Sequence, residues 1–484
     1  MPGAFKSDKD STVVRDGIWF VVFSICLCFT NAVCPSGCSC RVRYVDCVAR
    51  GHTHIPSFSA SNVAAEYDVL DLRRNSIMSL NNGSFTNAPF KIVYLSNNAL
   101  NDSHISTGAF QGLKDSVTYL DLSHNSLRHL PTALKQLNKI EDLDVSHNPM
   151  RSSGDFKDDV MKAMGDTIIS FTFGSDQLFG WPSTLNHFVQ LQRLHVDEMG
   201  RFMKVLPPEA FHGFETTLLY LKIEHTHLVA VPIGISKLRN LEELHFDDNP
   251  QVTDRGVLIQ SFPLSSHKLR TVTLNADGLT KFPPVLKYLR GLVSLSLDRN
   301  VLDFLSDASI SGNVTVVNLT LIDCGLDRIP GALADLDFLT TLDLSKNAIR
   351  TIEQNDLRNL PNLQHLKIQN ASLEYISNTA LENLHNLVSL NFENTKLTQV
   401  PQAVNMLYPC IAQLHLDGNK IDCMCETLVW LANKTDECRI NGSPMTITGE
   451  CDTIDSKVND YVTNYIPKCP QYKEEHHIAP YNGH

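Results

Sequence analysis

The strongest constraint on this chain is a phrase that returns. Aligned on one asparagine, residues 67–77 read YDVLDLRRNSI, 90–100 FKIVYLSNNAL, 117–127 VTYLDLSHNSL and 140–150 IEDLDVSHNPM. Further on come LEELHFDDNPQ (241–251), LVSLSLDRNVL (292–302), LTTLDLSKNAI (339–349) and IAQLHLDGNKI (411–421). Looser copies beginning at 168, 191, 218, 269, 316, 363 and 387 fill the gaps and bring the total to fifteen. Each follows L-x-x-L-x-L-x-x-N-x-L. Apolar fourth and sixth positions between polar neighbours specify a short strand with one buried face. The ninth residue sits where the chain turns, and an amide side chain there can satisfy backbone groups that the turn leaves open. No single copy can bury its leucines, so the copies must stack, with a parallel sheet along one side of a continuous core.

The stretch YLDLSHNSLRHLP (119–131) shows how this bears on chemistry. A serine beside a histidine suggests catalysis, but the register points Leu120 and Leu122 inward, gives Asn125 to the ladder and leaves Ser123 and His124 at the strand end on the open surface. By the same register Cys324 is a buried ladder thiol, not a nucleophile. Thr226, Asp277 and Thr395 substitute other polar groups in the ladder. Met199 and Ala371 cannot, so an irregular turn is expected at both. Ladder positions to 300 alternate intervals of 23 with 27 or 28 residues, and later ones are 23 or 24 apart. That makes five tandem pairs followed by five uniform units. Long members carry aromatic outer segments such as GAFQGLKDS (108–116) and EAFHGFETT (209–217), whereas short ones carry proline entries such as HLPTALKQL (129–137) and RIPGALADL (328–336). Outer walls of unequal length suggest a curved array.

Over residues 67–421 these motifs are similar to the leucine-rich repeat family. The resemblance implies an α/β solenoid, a horseshoe with a parallel concave sheet. Solenoids need capped ends, and the cysteines cluster there. Cys34, Cys38, Cys40 and Cys47 in C-P-x2-C-x-C-x6-C resemble the N-terminal cap of extracellular members. NKIDCMCETLVWLANKT (419–435) resembles the C-terminal cap, with Trp430 under a short helix. The cap resemblance implies pairs Cys34–Cys40, Cys38–Cys47, Cys423–Cys451 and Cys425–Cys469. Cys438 departs from the simplest cap; Cys410 is its candidate partner, a pairing the sequence leaves open, and Cys324 is then the free thiol. Zinc is disfavoured in these clusters because C-x-C lacks the usual ligand spacing. The expected plan is a signal peptide (1–32), an N-terminal cap (33–66), fifteen repeats (67–421), a C-terminal cap (422–469) and a disordered tail (470–484).

Lys6, Lys9 and Arg15 precede the apolar run IWFVVFSICLCF (18–29), which is followed by Thr30-Asn31-Ala32, a pattern read as a cleaved secretory leader. The run is too short to span a bilayer comfortably. Clustered cysteines fit an oxidising compartment, as do the glycosylation sequons at Asn82, Asn101, Asn313, Asn318, Asn370, Asn433 and Asn441. A net charge of -12 disfavours nucleic acid and anionic membrane as partners and suits a cationic one.

The bare sheet face is where binding is expected. Repeats six to eight place Asp197, Glu198, Glu224, Glu242, Glu243, Asp247 and Asp248 there, answered only by Arg193 and Lys222, with His195, His225 and His245 among them. This reads as an acidic, pH-sensitive patch for a basic extracellular protein, a glycan-bearing ligand or a divalent cation; an acidic protein's ordinary solvated face would look similar. No metal is assigned, because His195 and His245 lie two strands, about 10 Å, apart. His124 and His147 read as scaffold. Tyr94, Tyr119 and Tyr220 are secondary candidates for partner contacts, and a glycan on Asn318 would obstruct repeat eleven. No catalytic motif is present and no cofactor is implied. A solvated face also gives a carboxylate little reason to shift its pKa. The expected function is non-enzymatic recognition. The paired repeat style also resembles arthropod secreted proteins of the Oplophorus-luciferin 2-monooxygenase non-catalytic subunit type, which implies, as the alternative, an accessory subunit of a secreted oxidative enzyme.

Overall fold

The computed structural model describes residues 34–58, 67–302, 314–408, 410–440 and 443–475. The leader and the sequons at Asn313 and Asn441 lie outside them. The sheet begins with an antiparallel hairpin, β1 (Ser39–Arg41) and β2 (Arg43–Asp46). Parallel strands then follow in chain order: β3 (Tyr67–Asp71), β4 (Ile92–Tyr94), β5 (Tyr119–Asp121), β6 (Asp142–Asp144) and β7 (Ser170–Ser175). Next come β8 (Arg193–Met199), β9 (Tyr220–Glu224), β10 (Glu243–Asp247), β11 (Thr271–Thr273), β12 (Ser294–Ser296), β13 (Asn318–Thr320) and β14 (Thr341–Asp343). His365–Lys367, Ser389–Asn391, Gln413–His415 and Thr446–Ile447 complete eighteen strands in one sheet.

Register locks the leucines together. Leu120 lies opposite Val93 and Leu143, and Leu143 opposite Phe171, all fully buried. Each such side chain contributes about 1.5 to 3 kcal/mol on burial, but only because a neighbouring copy covers it. The outer wall is mainly 3-10 turn. Thr132–Gln136, Ser183–His187, Ile233–Lys237, Pro284–Tyr288, Gly331–Asp335 and Gln402–Met406 each follow a proline. The ring fixes φ near the value such a turn needs at its entrance. Among the described repeat residues the one α-helix is Asp158–Ala163, so the helical half of the α/β expectation reduces largely to these short turns. Long members bury Phe85, Phe110, Phe211 and Phe214.

Where the ninth residue is asparagine, the ladder follows one pattern. Asn125 donates from Nδ2 to the carbonyls of Leu95, Leu122 and Ser123, and its Oδ1 accepts the Leu100 amide. Asn148 and Asn347 repeat the arrangement. Cys324 Sγ lies 3.3 Å from the Leu297 carbonyl, and burial pushes its thiol up to about 12, so it is inert. Met199 does break the pattern: β8 runs on through it, and the register against β7 slips between Phe173 and Ser175. Ala371 does not. Asn370 before it keeps φ at 51° and donates its amide to the Glu393 carbonyl like its counterparts. The turn is made by backbone bonds between copies, and the ladder side chain only reinforces it.

That turn depends on a feature the sequence did not announce. The eighth residue of the repeat is left-handed in Arg74, Asn97, His124, His147, Glu198, His225, Asp248 and onward to Asn394, with φ from 50° to 76°. Only Gly418 takes this conformation as a glycine in that column. Ser123, expected on the surface, is buried, with its hydroxyl 2.6 Å from Asp121 Oδ1.

Disulfides join Cys34–Cys40, Cys38–Cys47, Cys410–Cys438, Cys423–Cys451 and Cys425–Cys469, and Cys324 is free. Trp430 is not under the cap helix but part of it, within Cys425–Glu437. Within the stretch expected to be a disordered tail, Pro470–Glu475 is helical and Tyr472 is buried, and residues 476–484 lie outside the described residues.

Candidate functional site

The concave sheet is not uniform. β4 to β6 and β11 to β14 have three residues each, whereas β7 to β10 have six, seven, five and five. The widening starts at the β7–β8 bulge. Gly174 allows it: a Cβ there would stand 1.8 Å from the Asp197 carbonyl oxygen. With no side chain at Gly174 and Ser175 buried, the copy between β6 and β8 leaves a gap, and His147 reaches across it.

Asp197 is held from both sides, its Oδ2 2.9 Å from His147 Nε2 and its Oδ1 2.9 Å from His225 Nδ1. His147 Nδ1 is 3.2 Å from Glu198 Oε2, and its ring stacks on His124 with centroids 4.1 Å apart. The two histidines read as scaffold therefore belong to the cluster. Their position in a repeated SHN phrase concealed this, because the contact skips one copy. Beside them Glu224 Oε1 lies 2.7 Å from His195 Nε2 and 2.5 Å from Lys222 Nζ. Burial works against the Glu224 charge, but these two partners outweigh it and hold the carboxyl down at about 2. The bond to Asp197 raises the His225 pKa, whereas burial, followed by the neighbouring His147, lowers that of His124.

The remaining acids have separate fates. Asp247 is 9% exposed and accepts Thr273 Oγ1 at 2.8 Å and the Asn275 amide at 2.9 Å. Burial raises its pKa, and its role is to tie β10 to β11. Asp248 Oδ2 lies 3.0 Å from Arg299 Nη2, two copies on. Glu243 reaches exposed towards His245 at 3.3 Å, while His245 Nδ1 lies 3.1 Å from Thr273 Oγ1. Glu242 is exposed and makes no side-chain hydrogen bond or ion pair among the described residues. The face is also less solvated than its composition implies. Burial pushes Asp144 up to about 6 and raises Asp142, so the assumption that carboxylates here keep ordinary pKa values does not hold.

Among the described residues three groups of nitrogen and oxygen donors have ligand atoms within 4.8 Å of one another: His195 with Asp197 and Glu224, Glu224 with His225 and Asp248, and, farther along the sheet, Glu393 with His415 and Asp417. The pair weighed from sequence, His195 and His245, occurs together in none of them. Tyr94, with Arg73 over its ring, lies 5.2 Å from Tyr119, and Tyr220 lies between Arg193 and His245. Asn318 is half-buried on β13. Next to the cluster a recess is walled by Arg151, Arg201, His227, Phe179 and Phe202. Both phenylalanines are exposed, at 58% and 75%.

The leucine rich repeat family matches residues 91–150 and 326–373. Volume-regulated anion channel subunit LRRC8B of Mus musculus is 28% identical over 196 residues, 40% of this chain and 24% of that protein. The chain thus spans about a quarter of the channel subunit's length. Tsukushi of Gallus gallus is 24% identical over 324 residues, covering 58% of this chain and 84% of that one. Among solved structures, a leucine-rich repeat protein of Leptospira interrogans superposes with a TM-score of 0.56 at 20% identity, over 82% of this chain and 95% of the other. The fold is a leucine-rich repeat solenoid with disulfides near both ends. No helix among the described residues is long and apolar enough to cross a membrane.

Proposed function

We propose that this chain is an extracellular, non-enzymatic recognition protein that takes a basic protein, or the basic protein part of a glycan-bearing ligand, on the sheet face of β7 to β10. The observation that carries this reading is the local widening of the sheet where acids crowd. Asp197, Glu198, Glu224, Glu242, Glu243, Asp247 and Asp248 lie on or beside these strands, where Lys222 pairs with Glu224 and Arg299 with Asp248. A field of one sign on a concave wall steers an oppositely charged partner. Exposed Phe179 and Phe202 at the rim supply apolar area of the kind that anchors interfaces. The domain plan, with caps at 33–66 and 422–469 around the repeats, is part of the same reading.

The test spares the structural acids. A Glu242→Lys, Glu243→Lys variant should melt like the parent yet lose most of the parent's binding to cells and secreted proteins of its source. Undiminished binding by the double variant would remove the face assignment. The accessory-subunit alternative rests on repeat style alone, and an oxidative catalytic chain co-purifying in fixed ratio would be its signature.

A further inference from the structure

We propose that Asn318 carries an N-linked glycan whose first sugars lie on a hydroxyl floor formed by β11 to β14, and that Asn433 carries none. The inference deepens the recognition reading by bounding its surface, and it rests on the extracellular part of that reading.

The sequence offers its Asn-x-Ser/Thr triplets as equals, but the fold does not. A glycan joined to Nδ2 is bulky and hydrated, and a sugar attached before folding must still find room afterwards. Asn433 leaves none: it lies within the cap helix Cys425–Glu437, and the Oδ1 of the same carboxamide is buried. Asn82 and Asn370 are exposed. Asn82 engages only its Oδ1, which accepts the Gly108 amide, and Asn101 likewise spends its Oδ1 on the Ser103 amide and hydroxyl.

Asn318 differs from these because it stands on a strand of the concave sheet, in register between Ser294 on β12 and Thr341 on β14. All three residues are half-buried, yet neither the Asn318 carboxamide nor either hydroxyl makes a side-chain hydrogen bond among the described residues. On the same face Thr320, the third residue of the triplet, donates to Ser296 Oγ at 2.8 Å, and Ser296 donates to Asn275 Oδ1 at 2.6 Å. A hydroxyl that has spent its proton still accepts one. The floor therefore offers a sugar unused donors at Ser294 and Thr341 and an acceptor at Thr320, on strands about 4.8 Å apart.

The same two columns of the acidic half hold long side chains. Arg193, Tyr220 and Glu243 fill one, and His195, Lys222 and His245 fill the other. A glycan has no flat rest there. On its far side the floor ends at His365, in register with Thr341. With β11 to β14 under sugar, the concave surface left to a partner is the widened one of β7 to β10.

The experiment is site mapping on the full chain secreted from cultured animal cells. Enzymatic release of N-glycans in heavy-oxygen water turns each occupied asparagine into labelled aspartate, which mass spectrometry of the peptides reads. Label is expected at Asn318 and not at Asn433, with Asn82, Asn101 and Asn370 as controls. Label at Asn433, or none at Asn318 while a control carries it, would overturn this proposal and leave the extracellular reading intact; a chain labelled nowhere would sink both. Seating on the floor is read by diethyl pyrocarbonate. Losing the sugar in Asn318→Gln, or by a second route in Thr320→Ala, should speed modification of His365 several-fold and leave that of His124 unchanged, with the parent's circular dichroism. Equal reactivity of His365 in the parent and both variants would put the glycan in solvent and refute the floor.

Discussion

His147 and Asp197 meet at 2.9 Å although fifty positions separate them in the chain and a whole repeat lies between them. The intervening copy supplies Gly174 and a buried Ser175, and so gives way. The contact gathers His147, Asp197, Glu198 and His225 into one network.

Protonation of His225 should report that network. Its bond to Asp197 raises its pKa above the ordinary 6.5. The stabilisation is fully present below that value and lost as pH rises through the higher folded value. Asp197→Asn should therefore move the His225 titration, followed by proton NMR of the imidazole, to lower pH. An unmoved curve would show that the carboxylate does not control the ring.

Gly174→Ala should cost about 1 to 3 kcal/mol, because the new methyl group meets the Asp197 carbonyl oxygen at 1.8 Å. Equilibrium urea unfolding measures it. A loss no larger than that of an exposed Gly→Ala change would mean that the bulge relaxes freely.

Asp277 occupies a ladder position with Oδ1 accepting the Asn249 amide at 2.9 Å, but its buried Oδ2 has no hydrogen-bond partner. Burial pushes the carboxyl up to about 9. Folding thus favours the protonated form, and the associated stability is full below about 3.9, the unfolded value, and declines as pH rises through about 9. In the equivalent position Asn300 donates to the Leu274 carbonyl at 2.7 Å. Asp277→Asn should melt higher than the parent, by a margin that widens from pH 5 to pH 9. A margin independent of pH would refute a neutral Asp277.

The caps should be needed for export. Cys425–Cys469 ties the cap helix to a residue 44 positions on, and Cys34–Cys40 tethers the first hairpin. Loss of such a bridge typically costs about 2 to 5 kcal/mol. Cys425→Ser and Cys34→Ser should each lower secreted yield and melting temperature; normal export of both would count against structural caps.

Much of this architecture was legible because its causes are local and repeated. Leu120, Leu143 and Leu194 announce their burial by position within the phrase, Pro131 and Pro330 announce the outer turns, and Asn125 announces the ladder. The left-handed eighth position was not legible. Arg74, His124, Asp248 and Lys346 share no chemistry that predicts φ near 55°; the conformation is imposed by amide bonds to the next copy. The same cause makes Ala371 regular, where its side chain suggested otherwise.

The sequence by itself determined that stacked copies would bury one face of many short strands and leave the other bare, since no copy has any other way to cover its leucines. Tertiary structure alone decided which bare side chains meet. It spent Asp247 on Thr273 and Asn275, left Glu242 to solvent, and drew His147 to Asp197 across a copy that has no side chain in the gap. Periodicity along the chain fixes which way a side chain faces, but contact across strands depends on register, bulge and reach, which no single repeat contains.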